Sequence, residues 1–127
     1  MSKPCPYCNK PPKLVYGLTL FPHLPQLTDK AFWRCEPCKA HVGCHEGTTK
    51  PYGSLANSEL RNARSEAHGA FDQIWKLRYM SRTKAYEWLA AQLGISAKEC
   101  HIGLFDVDTC MIVRALGREK MQELMMS

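Results

Sequence analysis

Two short elements of this sequence carry the spacing of metal ligands: Cys5-Pro6-Tyr7-Cys8 and Cys35-Glu36-Pro37-Cys38, with 26 residues between Cys8 and Cys35. A C-x-x-C turn presents two sulfurs from one tight loop. Two such turns brought together supply the four soft donors, about 2.3 Å from the ion, that tetrahedral Zn²⁺ takes. The spacing therefore predicts one structural Zn²⁺ held by Cys5, Cys8, Cys35 and Cys38. Closed coordination of this kind leaves no position for water, so the site is expected to organise structure and not to catalyse. The competing reading is a thioredoxin-like redox motif, but that motif occurs once, at the start of a helix in a βαβ context, and not twice among prolines and β-prone residues. Pro6 and Pro37 stiffen the turns, and Asn9 follows Cys8 where the backbone is expected to need positive φ, which Asn tolerates.

Further donors occur in two places. His41-Val42-Gly43-Cys44-His45 offers three beyond the second knuckle, and Cys100, His101, Asp106, Asp108 and Cys110 fall within eleven residues. Either run could hold a second metal. The simpler reading makes His41 and Cys44 strand residues, His45 part of a turn, Cys100 and Cys110 small buried residues, Asp106 a helix cap, and Asp108 a first-turn residue favoured by the helix dipole. A metal-dependent nuclease built on His41, His45, His101, Asp106 and Asp108 would need all five in one cleft. No nucleophile-elbow, Walker, Rossmann, H-E-x-x-H or deaminase signature is present, so a non-catalytic role is favoured.

The elements that must position these residues divide the chain of 127 residues in two. Residues 1–53 are rich in proline, with β-prone pieces Leu14-Val15-Tyr16, Leu18-Thr19-Leu20 and Phe32-Trp33-Arg34, and are predicted to be strands and loops. Residues 54–127 show apolar spacing in threes and fours and are predicted to be helical, with a turn-rich seam over 46–53. The first helix is expected from about Ser58 to Leu77, burying Leu60, Ala63, Ala67, Phe71, Ile74 and Leu77 and placing Arg61, Arg64 and His68 on another face. Ser81 is a candidate cap for a second helix that Gly94 stops, Ser96 to Glu99 has the form of a capping box, and Asp106 is a candidate cap for a last helix over 107–116, resuming beyond Gly117. Leu89 to Ser96 has the residue order of the first helix and turn of a helix-turn-helix, but Gly103 falls where a recognition helix should continue. The fold expected is α+β: an N-terminal four-cysteine zinc ribbon packed through Trp33, Trp75 and Trp88 on three or four C-terminal helices.

The net charge is +5, falling to about +3 once four thiolates hold one Zn²⁺. Seven basic against three acidic residues lie in 1–50, so positive charge gathers around the cysteine-rich half and points to an acidic partner. Lys10, Lys13, Lys30, Arg34 and Lys39 are interleaved with Tyr7, Tyr16, Phe21, Phe32 and Trp33, a mixture able to neutralise phosphates and stack bases, with Arg61 and Arg64 as further phosphate contacts. No run of about 18 apolar residues occurs and Cys5 precedes any signal-like core, so no membrane span or signal peptide, and a cytoplasmic location, are expected.

The chain resembles a family of small zinc-finger-containing proteins of unknown function from phages and bacteria. The resemblance rests on Cys5-Pro6-Tyr7-Cys8, on Phe32-Trp33-Arg34-Cys35-Glu36-Pro37-Cys38 with Val42-Gly43-Cys44-His45 after it, on Leu55-Ala56-Asn57 before Glu59-Leu60-Arg61, and on Cys100-His101-Ile102-Gly103-Leu104-Phe105-Asp106. It implies a zinc ribbon followed by helices, and a phage or prophage origin with a role in handling DNA or interfering with a host protein. It brings no activity or catalytic residue, and Asn9 stands where such knuckles often have Gly. The leading expectation is a non-enzymatic nucleic-acid-binding protein. The alternative is an adaptor or inhibitor that engages a host protein through ribbon aromatics or Met121, Met125 and Met126.

Overall fold

The computed structural model describes residues 3–127, which form two compact units, one ending at Glu59 and one running from Leu60 to Ser127. The chain is α+β, as expected. The first unit holds a three-stranded antiparallel sheet in the order β1 (Lys13–Tyr16), β2 (Ala31–Cys35), β3 (Ala40–Gly43). Leu14 lies opposite Trp33 and Arg34 opposite His41. Because side chains alternate across a strand, Trp33, Cys35, Ala40 and Val42 share one face, while Lys13, Val15, Phe32, Arg34, His41 and Gly43 share the other. The first face packs with Cys5, Cys8, Cys38 and Leu55 into this unit's core, so half of that core is cysteine.

Leu18-Thr19-Leu20 is not a strand. Gly17–Leu20 forms a single helical turn, α1, because the chain from Phe21 to Lys30 folds back over Gly17. The Gly17 N–H donates to Lys30 O at 2.9 Å, and a Cβ at Gly17 would lie 1.6 Å from Leu27 O. The expected seam over 46–53 closes on itself, with His45 N–H donating to Lys50 O and Cys44 bridged to Pro51. Residues 54–59 stay with the sheet: Leu55 is buried against the cysteines and Ala56 bridges to His41.

The second unit is built from α2 (Ser58–Phe71, which starts two residues earlier), α3 (Gln73–Lys76), α4 (Arg82–Leu93) and α5 (Val107–Met126). The first helix ends at Phe71 and not at Leu77. The Gln73 side-chain amide donates to Gly69 O, the acceptor its own backbone N–H would take in an unbroken helix. Leu60, Ala63, Ala67, Phe71 and Ile74 are buried as expected, but Leu77 lies past this break and is 59% exposed. Trp75 and Trp88 pack against the helical core, and Trp33 packs in the sheet unit.

The caps read from the sequence are in place. Ser81 Oγ accepts from Lys84 N–H, Gly94 takes a left-handed φ of 69°, and Ser96 with Glu99 forms a capping box. Two single 3₁₀ turns follow Gly94 before α5, so no recognition helix completes the helix-turn-helix pattern. The last helix runs unbroken through Gly117, which is buried, because a Cβ there would stand 2.9 Å from the Ala70 carbonyl carbon. Glycine at this point allows α2 and α5 to approach backbone to backbone and does not stop the helix. Met121 is core, leaving Met125 and Met126 as the exposed methionines of the C-terminal turn. No helix of the described residues is long and apolar enough to cross a membrane.

Asp106 Oδ1 accepts from Thr109 N–H at 2.8 Å, and hydrogen bonds from the Thr109 hydroxyl and amide hold its carboxyl below the usual aspartate range. A folded pKa below the unfolded one contributes stability above the ordinary aspartate pKa and loses it as pH falls through the folded value. Asp106→Ala is expected to cost about 1 kcal/mol at pH 7. In urea unfolding, the gap between variant and parent should narrow at acid pH.

Candidate metal centre

Each C-x-x-C folds as a knuckle closed by its own backbone. Asn9 N–H donates to Cys5 O at 2.8 Å and Cys5 N–H to Lys10 O at 2.9 Å. In the second knuckle Lys39 N–H donates to Glu36 O, and Cys35 pairs with Ala40 where β2 turns into β3. The residue after each knuckle's second cysteine has a left-handed backbone: Asn9 at φ 62°, as the sequence suggested, and Lys39 at φ 53°. Lys39 carried no such signal, since Lys adopts this region only when surrounding hydrogen bonds impose it.

The pairing of β1 with β2 brings the knuckles together across 26 intervening residues. All four Sγ atoms of Cys5, Cys8, Cys35 and Cys38 lie within 4.8 Å of one another, with Cys8 and Cys35 sulfurs 3.4 Å apart. Donors about 2.3 Å from a tetrahedral ion stand about 3.8 Å from each other, so the spacing fits Zn²⁺. The four are free thiols, and none is joined in a disulfide. Their proton chemistry fits too. The Lys10 backbone amide, followed by the Cys35 thiol, lowers the Cys8 pKa to about 7. The neighbouring Cys8, then burial, pushes Cys38 up to about 12. For Cys35 the Cys38 amide pulls downward, but burial and the sulfurs of Cys8 and Cys5 outweigh it. Sulfurs this close do not all ionise without a cation to compensate them.

A family comparison decides what this geometry belongs to: the profile of a zinc-finger-containing domain, DUF3268, matches residues 1–120. The chain is a member of this zinc-finger family. No curated protein and no solved structure matches it. Zinc is therefore this family member's cofactor, with Cys5, Cys8, Cys35 and Cys38 as the residues that would hold it. When bound, the ion supplies a structural crosslink between the knuckles.

The other candidate ligands go elsewhere. His41 packs edge-on against the rings of Phe21 and Phe32, His45 lies 4.3 Å from the Tyr52 ring, and Cys44 is buried. Cys100 and Cys110 are buried apolar neighbours of the helical core, burial raising both thiol pKa values, and Asp106 is occupied as a cap. Among the described residues no second group of three or more such donors comes together.

The basic residues of the sheet unit divide. Lys10, Lys13 and Arg34 line one cleft of about 360 Å³ beside the second knuckle, with Pro11, Val15 and Glu36. Lys30 lies in a separate cleft of about 680 Å³, and Lys39 is exposed on the second knuckle. Arg64 is half-buried and its Nε donates to Phe105 O at 3.1 Å, tying α2 to the segment before α5; Arg61 is half-buried on the same helix. Of the aromatics, Phe32 is buried, Phe21 rests on it, Trp33 donates its indole N–H to Thr49 O, and the Tyr7 hydroxyl accepts from Asn57 N–H. Tyr16 is 46% exposed at the end of β1.

Proposed function

We propose that the zinc-ordered sheet is a non-catalytic nucleic-acid-binding module that takes phosphates in the cleft of Lys10, Lys13 and Arg34. The observation that carries this reading is the convergence of three cations on one cleft with a single carboxylate, Glu36. Glu36 Oε2 accepts from Arg34 Nε at 2.6 Å, and this bond, with the Arg34 charge, holds its carboxyl below the usual range. Outside the metal centre, whose Cys35 also borders the cleft, three cations thus face one carboxylate. Lys13 and Arg34 also stand directly opposite each other on the β1–β2 ladder, an arrangement that like charges disfavour and an anion between them relieves. A closed four-cysteine site offers no position for a reacting water, which supports binding over catalysis. The reducing cytoplasm keeps four thiolates available for zinc, and DNA handling by a phage or prophage product is the setting this reading fits.

Affinity for a fluorescein-labelled oligonucleotide, followed by anisotropy, is expected to fall steeply with salt through counterion release. The Lys10→Ala/Lys13→Ala double variant should bind about tenfold more weakly at low salt and lower the salt slope by about two. Lys98→Ala, on an exposed 3₁₀ turn of the other unit, should behave as the parent. Absence of binding to single- or double-stranded DNA or RNA at low salt would sink the reading in favour of a protein partner.

A further inference from the structure

We propose that the nucleic acid this module takes is single-stranded, passing over the exposed edge of β1 with phosphates in the Lys10–Lys13–Arg34 cleft on one face and an unstacked base on Tyr16 in the cleft on the other. This rests on the nucleic-acid reading above and goes further by naming the form of the ligand. Strand β1 is an edge of the sheet, paired through β2 alone. Its first residue, Lys13, borders the basic cleft and its last, Tyr16, borders the larger one of about 680 Å³. Four residues of extended chain place these ends about 10 Å apart, and by alternation Tyr16 lies on the sheet face opposite Lys13 and Arg34, so a ligand reaching both must cross the exposed edge of β1. A flexible single strand of a few nucleotides can follow that path over the edge, which a stiff duplex does not.

The two clefts differ in chemistry. The first sets three cation side chains against one carboxylate outside the metal centre, donors that a polyanionic backbone takes. The second sets Lys30 against Asp29 and Glu46, one carboxylate in excess, and adds the polar side chains of Gln26, Thr48 and Thr49, so it disfavours phosphate but offers many donors and acceptors. Carboxylate and amide groups of this kind pair with the exocyclic amines and ring edges of bases. Tyr16 supplies an exposed ring on which a base can stack. In a duplex the bases are already stacked and paired, and none reaches such a ring without leaving the helix. DNA and RNA single strands share the chemistry recognised here.

The test uses the zinc-loaded full chain with a labelled 12-nucleotide mixed-sequence single strand, as DNA and as RNA, and with the same DNA sequence as a blunt duplex. One or both single strands should bind at least tenfold tighter than the duplex. Tyr16→Ala should lower single-strand affinity about tenfold, the size of one lost base stack, while leaving duplex affinity and the salt slope unchanged. Tyr16→Phe should retain binding, and Tyr16→Leu, which keeps apolar cover on the strand without a π face, should repeat the loss at unchanged zinc content. Duplex binding equal to or tighter than both single strands, or Tyr16→Leu binding like the parent, would overturn the inference while leaving the phosphate-cleft reading standing. Failure of every oligonucleotide to bind overturns both.

Discussion

A chain carrying Cys35→Ser is expected to lose stoichiometric zinc and, with it, the ordered structure of residues 3–59. Cys35 is 3% exposed and belongs at once to β2, to the second knuckle and to the cysteine core. Serine keeps the size of the side chain but presents a hydroxyl that stays protonated and binds zinc weakly. Partners outside the coordination sphere are worth about 10- to 100-fold in metal affinity, so loss of a ligand should exceed a hundredfold. Zinc contributes on the order of 10 kcal/mol to folding in small sites of this kind. The sheet unit, whose buried apolar residues besides cysteine are mainly Phe32, Ala40, Leu55 and Ala56, has little to replace it. The helical unit has its own core of Phe71, Ile74, Leu89, Ile102 and Val113. Zinc analysis should therefore fall from one ion per chain toward none, and limited proteolysis should cut within 3–59 while the segment from Leu60 persists. A chelator should act on the parent in the same way. Acid should too: zinc holds the thiols ionised far below their ordinary pKa, so that stability is present at neutral pH and is lost as protons reclaim the sulfurs on acidification.

Gly17→Ala is expected to be the most damaging single-carbon change outside the metal ligands. The new methyl would sit 1.6 Å from Leu27 O and 2.4 Å from its carbonyl carbon. Backbone cannot rotate aside as a side chain does, so the segment folded over Gly17 must move. Moving it breaks Gly17 N–H to Lys30 O and Leu18 N–H to Thr28 O, the bonds that close the end of the β1–β2 hairpin. Overpacking costs about 1–3 kcal/mol and each of the two lost bonds about 1 kcal/mol, giving about 4 kcal/mol in all. The measurement is urea unfolding of the zinc-loaded chain. A midpoint equal to the parent's would show that the 21–30 segment yields without penalty.

The metal site was legible because its ligands come in local pairs. A C-x-x-C turn carries its geometry within four residues, and sequence spacing alone therefore named Cys5, Cys8, Cys35 and Cys38, which the structure brings within 4.8 Å. The basic residues had no comparable local code. Seven were named together, and the fold places Lys10, Lys13 and Arg34 in one cleft, Lys30 in another, and Arg64 on a backbone carbonyl. Charge is a property of a residue, whereas convergence of charge depends on the register that sets Lys13 against Arg34.

By itself the sequence determined what is decided within a turn or two of chain: the knuckles, the positive φ at Asn9, the caps Ser81, Gly94, Ser96 and Asp106, and the division into strand-rich and helical parts. Only the tertiary structure decided that 18–20 turns away from the sheet, that Leu77 faces solvent, that Gly117 lies inside a helix, and which cations share a cleft. The reason is one of range. Dihedral preference and capping hydrogen bonds act between neighbours in sequence, while the close approaches at Gly17 and Gly117 are made by backbone from a distant segment, to which a single glycine in a linear sequence does not point.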